Sequence, residues 1–308
     1  MQIVTAGPKY NDIDAYAGIV AYAELLNAQG IPAKAVSTAP LNESITKTIR
    51  SWGDFVETEY TPNINDSFVL IDLSDPSWFE EFVSLDRVEG VIDHHPGFED
   101  YWYERIGHTA TIDFIGAACT LVYEKWEQSG YIQLMSVTSA RLLICGILDN
   151  TLNFQASVTS DRDRLAYENL LKIADLPEDW SAQYFTECQE AILTDAVAAV
   201  KNDTKFLDFK TYSSKLCIGQ FAVWDGNIAI ARHGEALAEA FETIQSEWFM
   251  NLISVGEGKS YFICKNAKVQ KWLSSLLGVS FDNDIAVADR LWLRKEIIKE
   301  DMNALSIE

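Results

Sequence analysis

The chain carries only four histidines, His94, His95, His108 and His233, and two of them stand side by side behind Asp93 at the end of the β-branched run GVID. Aspartates close other apolar runs in the same way. Asp12 and Asp14 follow QIVT after a short loop, Asp72 ends SFVLI with Asp75 three residues on, and Asp149 and Asn150 end the run GILDN. Side chains at the carboxyl ends of parallel strands face the crevice where open α/β sheets hold ligands. Carboxylate oxygens combined with an imidazole nitrogen suit Mn²⁺ or Mg²⁺ better than the thiolate sets of structural zinc. One carboxylate shared by two ions would hold them about 3.5–4 Å apart, the arrangement that activates water and stabilises both attacking and leaving oxygens in a phosphoryl displacement. One or two ions, Mn²⁺ or Mg²⁺, are the cofactor that this chemistry implies.

Each group also has a plainer reading. Asp12 or Asp14 could cap a following helix. Asp72, Ser74, Asp75 and Pro76 together resemble turn chemistry. His108 and His233, standing alone, read as surface or core histidines. It is the recurrence of acidic and imidazole side chains at several element ends that favours a metal site.

The elements that must position these residues alternate. Strands are predicted at 2–5, 33–37, 67–71 and 88–92, with an amphipathic helix over 15–27 stopped by Gly30 and a second helix opened by Pro76 and containing Trp78, Phe79 and Phe82. Helices follow at 116–128, 136–148 and 160–174, and a polar helix at 177–191. The pattern then becomes mixed, with strands at 206–212, 216–221, 250–254 and 261–264 and helices at 235–245 and 267–276. The expected fold is α/β, a mostly parallel sheet flanked by helices, followed by a second, smaller α+β domain. The boundary is placed near Thr186, giving domains of residues 1–186 and 187–308.

Composition narrows the function classes. The chain has 308 residues, 48% hydrophobic and 12% aromatic, enough to bury a core in two domains. Its formal charge of −22 would repel the phosphate backbone of bulk nucleic acid and an anionic membrane surface. A small anionic phosphate substrate would therefore need a local cationic pocket. The five cysteines are odd in number and widely spaced, which reads as buried reduced thiols and a cytoplasmic setting. No stretch approaches the roughly 18 apolar residues of a membrane helix, and the amino end lacks the pattern of a secretory signal.

Taken in order, VLIDLSD, VIDHHPGF, GAACTLVYEKW and GILDNTLNFQASVTSDRD resemble the motifs of the DHH phosphoesterase superfamily. The late segment LRKEIIKE resembles the substrate-binding end of the second domain in manganese-dependent (family II) inorganic pyrophosphatases and related exopolyphosphatases. The resemblance implies that Asp72 bridges two metals, that Asp12 serves the first, and that Asp14 and His94 serve the second. It makes His95 a contact to the electrophilic phosphate and Asp93 its supporting carboxylate. Arg294 and Lys295, with Lys299 nearby, would close over the anionic substrate, although on residue type alone they read as a solvated basic pair. Gly116 and Thr120 match the family's small-residue helix start near phosphate, or serve close helix packing.

Three positions depart from the family pattern. Pro8 stands where those enzymes have a histidine ligand, and proline cannot bind a metal. The aspartate of the fourth motif aligns with Asn150, with Asp149 one residue early, and either could reach the second metal. The interdomain lysine has no clear counterpart, since Asp195 lies near its place and Lys201 further along. The function implied is hydrolysis of a phosphoanhydride such as pyrophosphate or short polyphosphate by a metal-bound hydroxide. The alternatives are a cyclic-nucleotide or short-oligonucleotide phosphodiesterase, disfavoured by the absence of a GGGH-like run, and a catalytically impaired phosphate-binding homologue. A homodimer formed through the first domain is an expectation from the family alone.

Overall fold

Four β-branched runs and a shorter fifth segment form the first sheet. Gln2–Thr5 (β1), Ala33–Ala35 (β2), Ser67–Ile71 (β3), Val88–Asp93 (β4) and Ala110–Ile112 (β5) pair in the order β2-β1-β3-β4-β5, every pairing parallel. The computed structural model describes residues 1–304 of the chain. It divides into two compact units, the first Met1–Trp180 and the second beginning at Ser181. Thr186 lies inside the helix Trp180–Thr194.

Parallel strands need crossovers, and here these are mostly helical. Ile13–Ala28 (α1) is alanine-rich and buried at twelve of its positions, so small side chains let it sit under both sheet and neighbouring helices. Lys47–Ser51 (α2) is one short turn, and Glu99–Ile106 (α3) leads into the edge strand β5. Ala118–Ser129 (α4), Val137–Thr151 (α5) and Asp161–Ala174 (α6) form the expected run of three helices. Trp126 Nε1 donates to the Ala21 carbonyl at 3.0 Å, pinning α4 to α1, and Glu24 accepts from Ser136 N and Oγ at 2.7 and 2.8 Å, capping α5 from α1.

The segment after β3 is not the helix its proline and aromatics suggested. Only Pro76–Trp78 makes a single 3-10 turn, after which the chain runs as a loop. Phe79 and Phe82 still pack on the cluster of Ile3, Phe68, Leu70, Val91 and Trp102, while Trp78 stays exposed. Trp102 is fully buried and its Nε1 donates to the Ser74 carbonyl at 2.7 Å. That bond fixes the loop that carries Asp72.

Trp180–Thr194 (α7), which starts at the last residue of the first unit, and Ala196–Asp203 (α8) precede the six-stranded mixed sheet of the second unit. Its strands are Lys205–Leu207 (β6), Leu216–Val223 (β7), Trp248–Ser254 (β8), Lys259–Ile263 (β9), Phe281–Asp282 (β10) and Ile285–Ala288 (β11). β6 is shorter than the strand expected over 206–212. Gly226–Glu242 (α9) begins earlier than expected because Asp225 caps it, accepting from Ile228 N at 2.9 Å, and it crosses between the parallel pair β7 and β8. Ala267–Leu277 (α10) and Arg294–Ala304 (α11) complete the unit, whose two apolar clusters contain residues of α8 and α9 and of α10 and α11 respectively. All five cysteines are buried and none forms a disulfide. Among the described residues no helix is long and apolar enough to cross a membrane.

Trp102→Phe preserves most of the ring while leaving the Ser74 carbonyl without its donor. A loss of about 1–3 kcal/mol in urea unfolding is expected; unchanged stability would show that this bond does not anchor the loop.

Candidate metal centre

Residues separated along the chain meet at the carboxyl ends of β3 and β4. Asp72 directly follows β3; its amide donates to the Ile92 carbonyl at 2.8 Å, and its backbone is left-handed at φ 57°. Aspartate tolerates this region better than branched residues do, and a strained conformation retained at a strand end is a mark of function. Its Oδ1 lies 3.3 Å from His94 Nε2 and 3.6 Å from His95 Nδ1. Among the described residues, ligand atoms of Asp72, His94 and His95 lie within 4.8 Å of one another. Asp14 approaches through His94, with its Oδ2 3.9 Å from Nε2.

The tautomer of His94 decides what this cluster can hold. Its Nδ1 is 3.1 Å from the Ile115 carbonyl, which can only accept, so Nδ1 carries the hydrogen. In the neutral ring Nε2 is then a bare lone pair, aimed at the oxygens of two carboxylates. Three electron-rich atoms converging where little water reaches them would be stabilised by a cation among them. The donor set is one imidazole and carboxylate oxygens, which fits a divalent ion of the Mn²⁺ type.

Asp14 is fully buried on α1, and both its oxygens accept backbone N–H groups at the start of α4: Ala118 N to Oδ2 and Cys119 N to Oδ1, each at 2.8 Å. Asp93, also buried, accepts at Oδ1 from His94 N at 2.7 Å, His95 N at 3.2 Å and His95 Nδ1 at 2.8 Å. Burial pushes the Asp93 carboxyl upward, but the hydrogen bond and charge of His95 outweigh it and hold the group below its ordinary value. The His95 ring is 60% exposed, so Asp93 fixes one nitrogen while the ring reaches solvent.

The remaining sequence candidates are placed as follows. Asp12 caps α1, its Oδ1 accepting from Ala15 N at 3.0 Å, so the capping alternative is realised for this residue. Pro8 lies in the loop before α1. Asp149 and Asn150 are on the last turn of α5, partly buried. Asp149 is outside the set of Asp72, His94 and His95. Both follow Gly146 by three and four residues and share its helix face; a Cβ at Gly146 would stand 3.1 Å from Asp14 Oδ1 and 2.4 Å from Cys119 Sγ. Close approach of α5 to the start of α4, beside Asp14 of α1, therefore requires glycine there. After α5, Leu152, Asn153 and Phe154 are all left-handed, with φ of 50°, 54° and 64°.

Arg294 is buried at the start of α11, and its guanidinium is directed inward. Nη1 donates to the Asp203 carbonyl at 2.9 Å, and Nη2 to Asp203 Oδ1 at 3.2 Å. Lys295 and Lys299 are exposed. Gly116 and Thr120 are occupied by Asp163 rather than open: Thr120 Oγ1 donates to Oδ1 at 2.6 Å and Gly116 N to Oδ2 at 3.1 Å. Sequence reading missed Ile115, Ala118, Cys119 and Asp163. The small-residue start of α4 and the Ser160 to Asp163 spacing of a capping box were the available signals.

The same crowding of negative charge sets a pH dependence. Burial first, then Asp72, push the Asp14 carboxyl up to about 7 from 3.8, with His94 and Cys119 opposing. A carboxyl raised in the folded state holds its proton longer there than in the unfolded chain, so its contribution is full below the unfolded value and is lost as pH climbs through about 7. Metal-free protein is expected to unfold at lower urea at pH 8 than at pH 5.5, with a smaller difference in Asp14→Asn and with saturating Mn²⁺ restoring stability at pH 8. Equal differences in the two proteins would remove Asp14 as the cause.

No protein-family profile matches the chain. It is 24% identical over 296 residues to a Listeria innocua protein named probable manganese-dependent inorganic pyrophosphatase, covering 93% of this chain and 88% of that one. A Lactobacillus delbrueckii subsp. bulgaricus protein of the same name is 26% identical over 245 residues, covering 75% and 74%. Among solved structures, a Methanococcus jannaschii protein provisionally assigned as a family II inorganic pyrophosphatase superposes with a TM-score of 0.71 at 16% identity, over 100% of both chains. An exopolyphosphatase-related protein from Bacteroides fragilis gives 0.51 at 13% identity, over 99% of this chain and 92% of the other. The chain thus shares the fold of a structure provisionally assigned as a family II inorganic pyrophosphatase and is a distant relative, along most of its length, of proteins named probable manganese-dependent inorganic pyrophosphatase, consistent with the resemblance drawn from its sequence.

Proposed function

We propose that the protein is a metal-dependent phosphohydrolase that cleaves pyrophosphate or short polyphosphate. The observation that carries this reading is the convergence of His94 Nε2 with Asp72 Oδ1 at 3.3 Å and Asp14 Oδ2 at 3.9 Å, a donor set built for a divalent cation. The names of the pyrophosphatase relatives support the substrate class. When bound, a divalent ion of the Mn²⁺ type lowers the pKa of water to near neutrality and offsets negative charge on the phosphate.

The chain's own groups do the rest. Ile115 O keeps the hydrogen on His94 Nδ1, so Nε2 remains a ligand atom. The amides of Ala118 and Cys119 hold Asp14 in a single orientation. Asp93 keeps His95 Nδ1 occupied, leaving Nε2 of this exposed ring as the atom that meets phosphate and gives or takes a proton. Asp12 and Asn150 or Asp149 complete the proposed ligand set, and Lys295 is the proposed basic contact to the substrate. The inward guanidinium of Arg294 favours a supporting role for that residue.

Pro8, together with an Asp12 oxygen engaged in a helix cap, favours a second reading in which the first ion binds weakly and turnover is slow. Phosphate release from pyrophosphate and tripolyphosphate, and opening of a cyclic nucleotide to its nucleoside monophosphate, measured with Mn²⁺ and Mg²⁺, separate the readings: hydrolysis of the anhydrides is expected, and turnover of none of the three would leave a phosphate-binding homologue. His94→Ala and Asp72→Ala are expected to remove that hydrolysis while far-ultraviolet circular dichroism stays unchanged; retained turnover would reject both assignments. Pro8→His is expected to tighten calorimetric Mn²⁺ binding, and an unchanged isotherm would show that Pro8 does not occupy the ligand position.

A further inference from the structure

We propose that Asp163 is a positioning residue for the metal centre, acting through residues 115–120; the inference rests on the metal-binding reading above. Asp163 is fully buried at the third position of α6 and has no cationic partner among the described residues. Helix capping accounts for only part of its bonding. Ser160 N and Oγ donate to Oδ2 at 2.8 and 2.7 Å, completing a capping box. The other bonds leave the helix: Gly116 N reaches Oδ2 at 3.1 Å from 47 residues away, and Thr120 Oγ1 reaches Oδ1 at 2.6 Å from 43 residues away.

The segment that Asp163 grips is the one that orients two metal ligands. Ile115 O takes the hydrogen of His94 Nδ1, while Ala118 N and Cys119 N take the two oxygens of Asp14. Polar groups of one short stretch thus bond Asp163 on one side and the imidazole and carboxylate ligands on the other. The grip is close. A Cβ on Gly116 would stand 2.6 Å from Thr151 Cγ2 and 2.7 Å from Asp163 Oδ2, so only glycine lets the amide approach. A shift of residues 115–120 would release Nδ1 of His94 and rotate Asp14 together, degrading both ligands at once.

The test uses the full-length protein. Asp163→Asn and Thr120→Val each remove acceptor or donor capacity from this contact with little change in volume, and Glu80→Gln, which weakens the hydrogen bonds to Thr38 elsewhere in the same unit, is the stability control. Calorimetric Mn²⁺ affinity is expected to fall about 10–100-fold in the first two and to stay at the wild-type value in the third. In metal-free protein, nitrogen-15 spectra of the His94 ring are expected to show faster solvent exchange of the Nδ1 hydrogen in Asp163→Asn and Thr120→Val. Should Asp163→Asn fail to fold, Thr120→Val carries both readouts. Folded variants with wild-type Mn²⁺ affinity and an unchanged His94 signal would overturn the proposal. A wild-type protein that binds no Mn²⁺ would instead defeat the metal-binding reading, and the His94 signal would still decide the positioning role.

Discussion

A carboxylate with no exposure to water, Asp14, is brought to within reach of a second carboxylate, Asp72, by way of the imidazole of His94, whose far nitrogen faces the Ile115 carbonyl. The two carboxylates oppose each other electrostatically, since removing like charges from water strengthens their repulsion. The fold holds them together with groups that do not compete for the space between them. Backbone amides of α4 face Asp14 from behind, a backbone carbonyl takes the far side of His94, and Asp93 ties the neighbouring ring. The centre is therefore prepared by peptide dipoles and left open toward a cation. Much of the first unit serves this end, from α1 wedged beneath the sheet to the glycine that lets α5 approach it.

The parts of this architecture that could be read from residues alone are those governed by short-range rules. The runs at β1, β3 and β4 are β-branched and apolar, and each leads to polar residues, so both the strands and the candidate ligands at their ends are visible in order. The helices α4, α5 and α6 have caps or periodicity to mark them. β5 was missed because three half-buried residues at a sheet edge carry no run of apolar side chains. The aromatic stretch after Pro76 misled for the opposite reason: Phe79 and Phe82 are buried by tertiary contact on a cluster they share with Trp102, not by membership of a helix face.

The candidate site shows the same division. The aspartates and histidines could be picked out because their types are unusual together, but what orients them could not. The carbonyl of Ile115 and the amides of Ala118 and Cys119 are backbone atoms that every residue possesses, and only folding selects them. Asp163 looked like one more acidic residue in a helix's first turn because its long-range partners lie more than forty positions away. Asp12 illustrates the limit from another side, since one oxygen does the ordinary work of a cap and residue type cannot say what the other does.

The inward side chain of Arg294 has an energetic consequence for how this molecule could recognise an anion. Its guanidinium is already neutralised by Asp203 and hydrogen-bonded to main-chain oxygens, with little of it open to solvent. Breaking a buried ion pair typically sacrifices about 3–5 kcal/mol, which would consume about two to four orders of magnitude of affinity before any new contact formed. The arginine thus acts as the rivet that keeps the start of α11 in register, and turning it outward to meet an anion would break that anchor.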